Sequence, residues 1–393
     1  VDERAPRMSR LLFVVPPLAG HVNPLIGVAA AAMERGHEVA WVGPCPVVRD
    51  LVGERVYPAG SYLERRPAGL RAFAALRFLW ADFLVPLADA MVPGVLAAVE
   101  DFGPDLLVVD QQTFAGALVA ERLGLPWVTS ASTSAELADP LGGLPKIGDW
   151  VREQQRGLRA RHGVPGEDDL RFSPYSTVVF STVELAGEPV VAVKDPRYVG
   201  PSLAHRRPVE FPWARLRPDA RLVLVTLGTT NSEAGGRFLA EAALALAELT
   251  EQPDLQGVIA DPGGFLTASG DVIVVPAAPM LDLIPRAAAV VCHGGHNTVC
   301  ETLANGVPLV IAPIRDDQPV LADQVVTAGA GVRLRFDHAR ADDIAAALRA
   351  VISDPGYVEA ACRVRTSFDR AGGAQAVVSR LEDLAHSSRT ARR

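Results

Sequence analysis

Residues 293–298 read His-Gly-Gly-His-Asn-Thr and separate a short apolar run, Ala288–Cys292, from a helix-compatible segment that stops at Asn305-Gly306. Strand, glycine turn and helix N-terminus together make a geometry that holds a phosphate. The first-turn N–H groups and the positive end of the helix dipole face the anion. Gly294 and Gly295 let the backbone come close, where a side chain would block it. Downstream, Pro313-Ile314-Arg315-Asp316-Asp317-Gln318 offers a carboxylate and an amide that could hold sugar hydroxyls. Near the other end of the chain, His21 follows the apolar run Leu11–Val15 in a loop that leads into a helix. An imidazole there suits general-base work near neutral pH. Asp110 closes another apolar run, 105–109, and is expected on the same rim. A carboxylate beside His21 would fix its tautomer and stabilise the imidazolium that forms. Taken singly, both residues also have a plain reading, as a helix cap and a turn cap.

These residues need a scaffold, and the apolar pattern supplies one. Continuous apolar runs at 11–15, 38–42, 105–109, 127–129 and 177–180 read as strands of a parallel sheet covered on both faces. Helical segments at 24–35 and 114–123 lie between them. The rhythm restarts at 221–226 and continues through strands at 257–260, 272–275, 288–292 and 308–312. Helices are expected at 237–250, 279–286, 297–304, 318–328, 341–352, 357–368 and 375–385. Strands alternating with helices mean an α/β fold, here two doubly wound parallel-sheet domains facing a cleft. Pro201, Pro208, Pro212 and Pro218 stand among scattered arginines and mark an interdomain linker. The expected division is residues 1–202, a linker at 203–218, a second domain at 219–374, and a last helix and tail at 375–393.

Composition narrows the classes. The 393 residues are 49% hydrophobic, enough to fill two substantial cores, and carry a net charge of −8. With no basic block before the Arg-rich end at 389–393, nucleic acid is not an expected partner. The four cysteines form neither a CxxC pair nor a disulfide framework, which fits a reducing cytoplasm. Met8 is a candidate start, with Val1–Arg7 an upstream extension. The apolar stretch 78–99 contains Asp82, Pro86, Asp89 and Pro93 and makes a poor bilayer span, so no stable membrane insertion is expected. Neither GxGxxG after the first strand nor GxxxxGK[ST] occurs, and no redox cofactor is expected. Gly-x-Ser-x-Gly is absent too. The adjacent pair Asp316-Asp317 and the spacing His293-x-x-His296 are weak metal signals, and no metal is expected.

The ordered set of motifs resembles the GT-B glycosyltransferases that decorate natural products, including the macrolide and carotenoid enzymes. His-Gly-Gly-x-Asn-Thr, Glu301, and then Asp317-Gln318 about sixteen positions on, is similar to the family's donor-site signature. Pro16-Pro-Leu-Ala-Gly-His21-Val-Asn-Pro24 is similar to its acceptor-side motif, about 270 residues earlier. The resemblance implies a His21–Asp110 dyad that deprotonates an acceptor hydroxyl. It implies that His293, Gly294, Gly295, Asn297 and Thr298 bind the diphosphate of a UDP- or dTDP-sugar. Glu301 would face the ribose, and Asp317 and Gln318 the sugar. Gly228 and Thr229, with Thr226 and Thr230, form a small hydroxyl-rich turn that could also approach the phosphates. The last helix would cross back to the first domain. Residues 60–95, with Tyr62, Phe73, Phe78, Trp80 and Phe83, would form the acceptor region and favour a bulky hydrophobic small molecule.

Three positions depart from that pattern. His296 stands where relatives often carry Trp, Ala or Gly. Leu321 stands where many carry Asn. The segment 277–280 (Ala-Ala-Pro-Met) lacks the tryptophan that stacks on the base in many relatives, which leaves uridine and thymidine both open. The expected activity is an inverting glycosyl transfer to a hydrophobic aglycone in antibiotic or other secondary-metabolite biosynthesis. A sugar-nucleotide epimerase and a non-catalytic sugar-nucleotide-binding helper are the competing readings. The oligomeric state, a homodimer included, is not set by the sequence.

Overall fold

A computed structural model describes residues 8–53, 55–61, 70, 72–203, 208–228, 235–250, 254–267 and 271–391. The chain divides into two compact units. The first comprises 1–181, 188–204 and 371–393, and the second 182–187 and 205–370.

The first unit is built on strands β1 (Arg10–Val14), β2 (Glu38–Gly43), β3 (Val56–Pro58), β4 (Leu106–Asp110), β5 (Trp127–Ala131), β6 (Thr177–Val179) and β7 (Pro196–Tyr198). Their order across the sheet is β3-β2-β1-β4-β5-β6-β7, with every pairing parallel. Strand β4 is buried along its whole length, which explains its unbroken apolar pattern. The order reverses between β1 and β4. At such a switch point the loops leaving the two carboxyl ends run to opposite faces and open a crevice.

The helix after β1 runs Ala19–Glu34 and begins five residues before the expected start at Pro24. The N–H groups of His21 and Val22 both bond to Leu18 O, so the first turn closes before the proline. Pro24 sits early enough that its ring meets only the carbonyl of Gly20, near the helix end. His21 therefore stands in the first helical turn and not in a loop.

A long helical rod, Phe73–Phe102, follows the first three strands and is apolar and long enough to cross a membrane by length and composition. Leu84, Leu87, Met91, Val95 and Ala98 are buried in the sheet's core, which accounts for much of that apolarity. Its segment Phe78–Leu84 is π-helical, with the Val85 N–H bonding to Trp80 O. Pro86 follows at once. It has no N–H for the carbonyl of Asp82 and its ring crowds that oxygen, so the widened turn relieves the conflict.

The last helix, Gly373–Ala391, packs on this unit. Val377, Val378 and Leu381 join the cluster of Leu25 and Val28. Glu382 accepts from Arg35 at 3.0 Å and pairs with His37 Nε2 at 2.9 Å.

The second unit holds β8 (Arg221–Thr226), β9 (Leu255–Ala260), β10 (Ile273–Val275), β11 (Ala287–Cys292), β12 (Leu309–Ile311) and β13 (Gly331–Arg333). Their order is β10-β9-β8-β11-β12-β13, again parallel throughout. The switch point falls between β8 and β11. The expected helix at 279–286 is an α-turn, Met280–Leu283, followed by a 3-10 turn, Ile284–Arg286, because Pro285 cannot supply the next helical N–H. Residues 182–187, which precede the expected linker, pack with this unit. Leu185 joins its core, and Gln324 donates to Ala186 O at 3.3 Å.

Candidate active site

In the first unit, the chemistry-bearing residues gather at the β1/β4 switch point. His21 stands in the helix leaving β1, and Asp110 ends β4. His21 Nδ1 lies 2.9 Å from Asp110 Oδ1 and 3.1 Å from Oδ2. The Asp110 side chain has no exposed surface, whereas that of His21 keeps 16%. Asp110 is itself held, since its Oδ1 accepts the Gln112 N–H at 2.9 Å. Thr113 ties the turn after β4 to β1 by donating its hydroxyl to Val14 O and Asp110 O. A carboxylate against Nδ1 places the ring proton there and leaves Nε2 with the lone pair, the form that accepts a proton.

Two further polar residues at this rim carried no sequence signal. Ser132, just beyond β5, brings its Oγ to 2.7 Å from the same His21 Nδ1. Gln111 is 2% exposed, and neither polar atom of its side-chain amide has a hydrogen-bond partner. Ser132 looks like one of many serines in the stretch 130–134. Only the register of β5 beside β4 brings it to the imidazole.

In the second unit, the turn after β11 lies at the other switch point. Cys292 is paired with Thr226, so His293 and the turn after β8 leave the sheet side by side. Gly294 adopts φ +89°, a left-handed conformation that a side chain would strain. Gly295 precedes the helix His296–Leu303. The His293 ring lies over two bare glycines. A Cβ on Gly228 would come within 2.8 Å of the ring, and one on Gly295 within 2.6 Å. Burial first, and then the positive charge of Arg315, lower the His293 pKa to about 4, against a hydrogen bond to the Thr226 backbone that raises it. His293 is therefore a neutral imidazole at physiological pH, and its buried Nδ1 has no hydrogen-bond partner.

The helix after this turn is partly committed elsewhere. His296 is buried and its Nε2 lies 3.5 Å from Cys300 Sγ, one turn along the same helix. Glu301 is 4% exposed. Burial pushes the Cys292 thiol up to about 12, so it is no nucleophile. Asn297 and Thr298 are half-buried in the first turn. Beyond β12, Asp316 takes φ +57° and turns the chain into the helix Gln318–Thr327, with Asp317 at its N-cap. Gln318 Oε1 accepts the N–H groups of Ile314 and Arg315 at 2.8 and 3.0 Å. The amide oxygen thus braces the loop.

Comparison with known proteins bears on this arrangement. Residues 264–384 match the family described as "Erythromycin biosynthesis protein CIII-like, C-terminal domain". The chain is 29% identical to 4'-demethylrebeccamycin synthase of Lentzea aerocolonigenes, over 96% of this chain and 99% of the relative. Among solved structures, the glycosyltransferase of kitacinnamycin superposes with a TM-score of 0.77 at 23% identity, over 96% of this chain and 99% of that one. Over nearly its whole length the chain is similar in sequence and in fold to GT-B natural-product glycosyltransferases. Another fold neighbour, glycosyltransferase VinC, was solved in complex with dTDP; its TM-score is 0.74 at 21% identity, over 96% of this chain and all of that one.

Four aromatic residues expected on the acceptor side differ in their burial. Trp80 is 4% exposed, stacks on Phe114 at 5.3 Å and lies under the Arg171 guanidinium. Burial alone would lower the Arg171 pKa, but Glu136 and Asp169 outweigh it and raise it, so the cation is fixed. Trp80 is thus a core residue. Phe83 packs on the same cluster. Phe73 keeps 48% exposure and meets Trp150 edge-on at 5.7 Å, and Phe78 is half-buried. Leu321 is wholly buried in the helix that Gln318 opens. Tyr62, Thr229, Thr230 and Val1–Arg7 lie outside the described residues. A separate cavity of about 460 Å³ among Glu121, Trp127, Phe172, Tyr175 and Lys194 opens at the amino end of β5, away from Ser132.

Proposed function

We propose that this glycosyltransferase moves a sugar from a dTDP- or UDP-sugar onto a hydroxyl of a hydrophobic natural-product aglycone, with inversion at the anomeric carbon. His21 Nε2 takes the proton of the acceptor hydroxyl. The acceptor oxygen bonds to the anomeric carbon as the bond from that carbon to the diphosphate oxygen breaks. The electron pair leaves with the diphosphate, and the helix N-terminus at 296–298 with neutral His293 stabilises its charge. Asp110 holds the imidazolium until the proton is lost to water. Glu301 serves the ribose, and Asp317 with the Gln318 NH₂ holds sugar hydroxyls. The chemistry calls for no redox cofactor, and the enzyme would work in the cytoplasm.

The observation that carries this reading is the 2.9 Å contact between His21 Nδ1 and buried Asp110, which sets the tautomer a general base needs. The base lies in the first unit and the glycine turn in the second. The dTDP held by VinC and the 4'-demethylrebeccamycin in the name of the Lentzea relative support the donor and acceptor classes.

The test is incubation with dTDP- and UDP-sugars and a panel of aglycones. Release of nucleoside diphosphate with a glycoside mass, and an inverted anomeric centre by NMR, are the expected results. Nucleotide binding without turnover across a broad panel would leave a helper protein. An epimerised donor without acceptor would leave an epimerase.

A further inference from the structure

The segment 277–280 offers no aromatic ring to a nucleobase, yet the same rim of the second unit carries one on the neighbouring loop. Phe265 lies five residues past the end of β9 and keeps 46% exposure. Its ring rests on bare backbone. A Cβ on Gly263 would meet the ring at 2.2 Å and one on Gly236 at 3.0 Å, so side chains there would displace it. The loop is pinned rather than loose. Asp261 is 3% exposed, its Oδ2 accepts the Leu266 N–H at 2.7 Å, and its carbonyl accepts the Gly264 N–H at 3.2 Å. The Asp261 N–H in turn donates to Val275 O at 2.8 Å. A half-exposed aromatic ring is thereby presented from a fixed turn.

Its place in the sheet indicates a ligand. Phe265 touches Gly236 at the start of the helix Gly236–Leu249, Gly235 before it abuts Leu227, and Gly228 lies under the His293 ring. A continuous line of contacts thus joins Phe265 to the phosphate-holding turn, all within one unit. The strand order gives direction. Asp317 and Gln318 follow β12 and the glycine turn follows β11, while Gly228 follows β8 and Phe265 follows β9. If the sugar lies toward β12 and the diphosphate over β11 and β8, the nucleoside extends toward β9. Two strand spacings, about 10 Å, separate β9 from β11.

We propose that Phe265 is the nucleobase platform of this enzyme, stacking on the pyrimidine of the donor and supplying the aromatic face that 277–280 lacks. The inference rests on the donor reading above. Stacking on an aromatic face tolerates either pyrimidine, so this ring sets affinity for the nucleoside without choosing between uridine and thymidine.

The test is calorimetric titration of the full chain with dTDP, UDP and inorganic pyrophosphate, for wild type, Phe265→Ala, Phe265→Leu and Phe265→Trp. The expected result is that Ala and Leu weaken both nucleotides about tenfold or more. Pyrophosphate binding should stay unchanged, and Trp should restore nucleotide affinity. Wild-type affinity for dTDP and UDP in the Ala variant would overturn the proposal. So would equal losses for nucleotide and pyrophosphate, since the ring would then merely shape the turn. A wild-type chain that binds neither nucleotide would sink the donor reading itself and this inference with it.

Discussion

Two polar groups meet one atom of the His21 imidazole: its Nδ1 lies 2.9 Å from Asp110 Oδ1 and 2.7 Å from Ser132 Oγ. The two acceptors divide the labour. Asp110 brings charge and Ser132 brings only position. Replacing Asp110 by Asn keeps the shape but removes the charge that favours the imidazolium. That change is expected to lower kcat by about 10²–10⁴-fold with little effect on donor affinity. Ser132→Ala removes one contact and leaves the charge, so its loss should be about tenfold or less. Equal losses from the two variants, measured by steady-state kinetics, would show that charge is not what Asp110 contributes.

The ring of His293 depends on the absence of two Cβ atoms. Gly295→Ala puts a methyl 2.6 Å from the ring, where His293 must move. The expected outcome is weaker dTDP binding by about tenfold or more, with a stability loss of about 1–3 kcal/mol from overpacking. Titration calorimetry and urea melts together check both. A variant with native nucleotide affinity would mean that the position of His293 does not matter to the donor.

Acid sensitivity should follow from the same ring. The unfolded imidazole takes a proton near pH 6.5, whereas the folded one resists until about 4. Between those values the unfolded state binds more protons, so stability falls as the pH falls. The full loss is on the order of 3 kcal/mol. His293→Gln cannot take that proton and should flatten the dependence. The check is the urea midpoint of both proteins at about pH 7.5 and about pH 5. Parallel losses in the two proteins would place the acid sensitivity elsewhere.

Gln111 presents the opposite case, a buried amide without partners. Each such group costs roughly 1–3 kcal/mol relative to a satisfied one. Gln111→Leu has a similar volume and no polar atoms, and is expected to raise stability by about 1–2 kcal/mol. Thermal melts check this, and a destabilised variant would contradict it. Because Gln111 adjoins Asp110, a rise in KM for the acceptor alongside the gain would mark the amide as retained for binding.

Much of this architecture was readable in the sequence. The apolar runs at 11–15, 105–109, 221–226 and 288–292 are buried on both faces, and such strands leave an unambiguous trace. The glycine turn at 293–295 was also legible, since Gly294 has a conformation that demands glycine. The short strands β3, β7 and β13 were not, because three residues of mixed burial make no periodic signal. Trp80 and Phe73 looked alike as aromatics in one helical stretch. Only the packing of Phe114 and Arg171 separates the core ring from the exposed one. Ser132 and Gln111 were hidden for a similar reason, since strand register, and not local composition, brings them to the rim.

The most direct measurement compares His21→Ala with wild type for two quantities, glycoside formation and dTDP affinity. The account predicts a loss of transfer of about 10²–10⁴-fold with dTDP affinity unchanged, because the proton acceptor and the anion-holding turn belong to different units. Glycoside formation within a few-fold of wild type would contradict it and remove His21 from the chemistry.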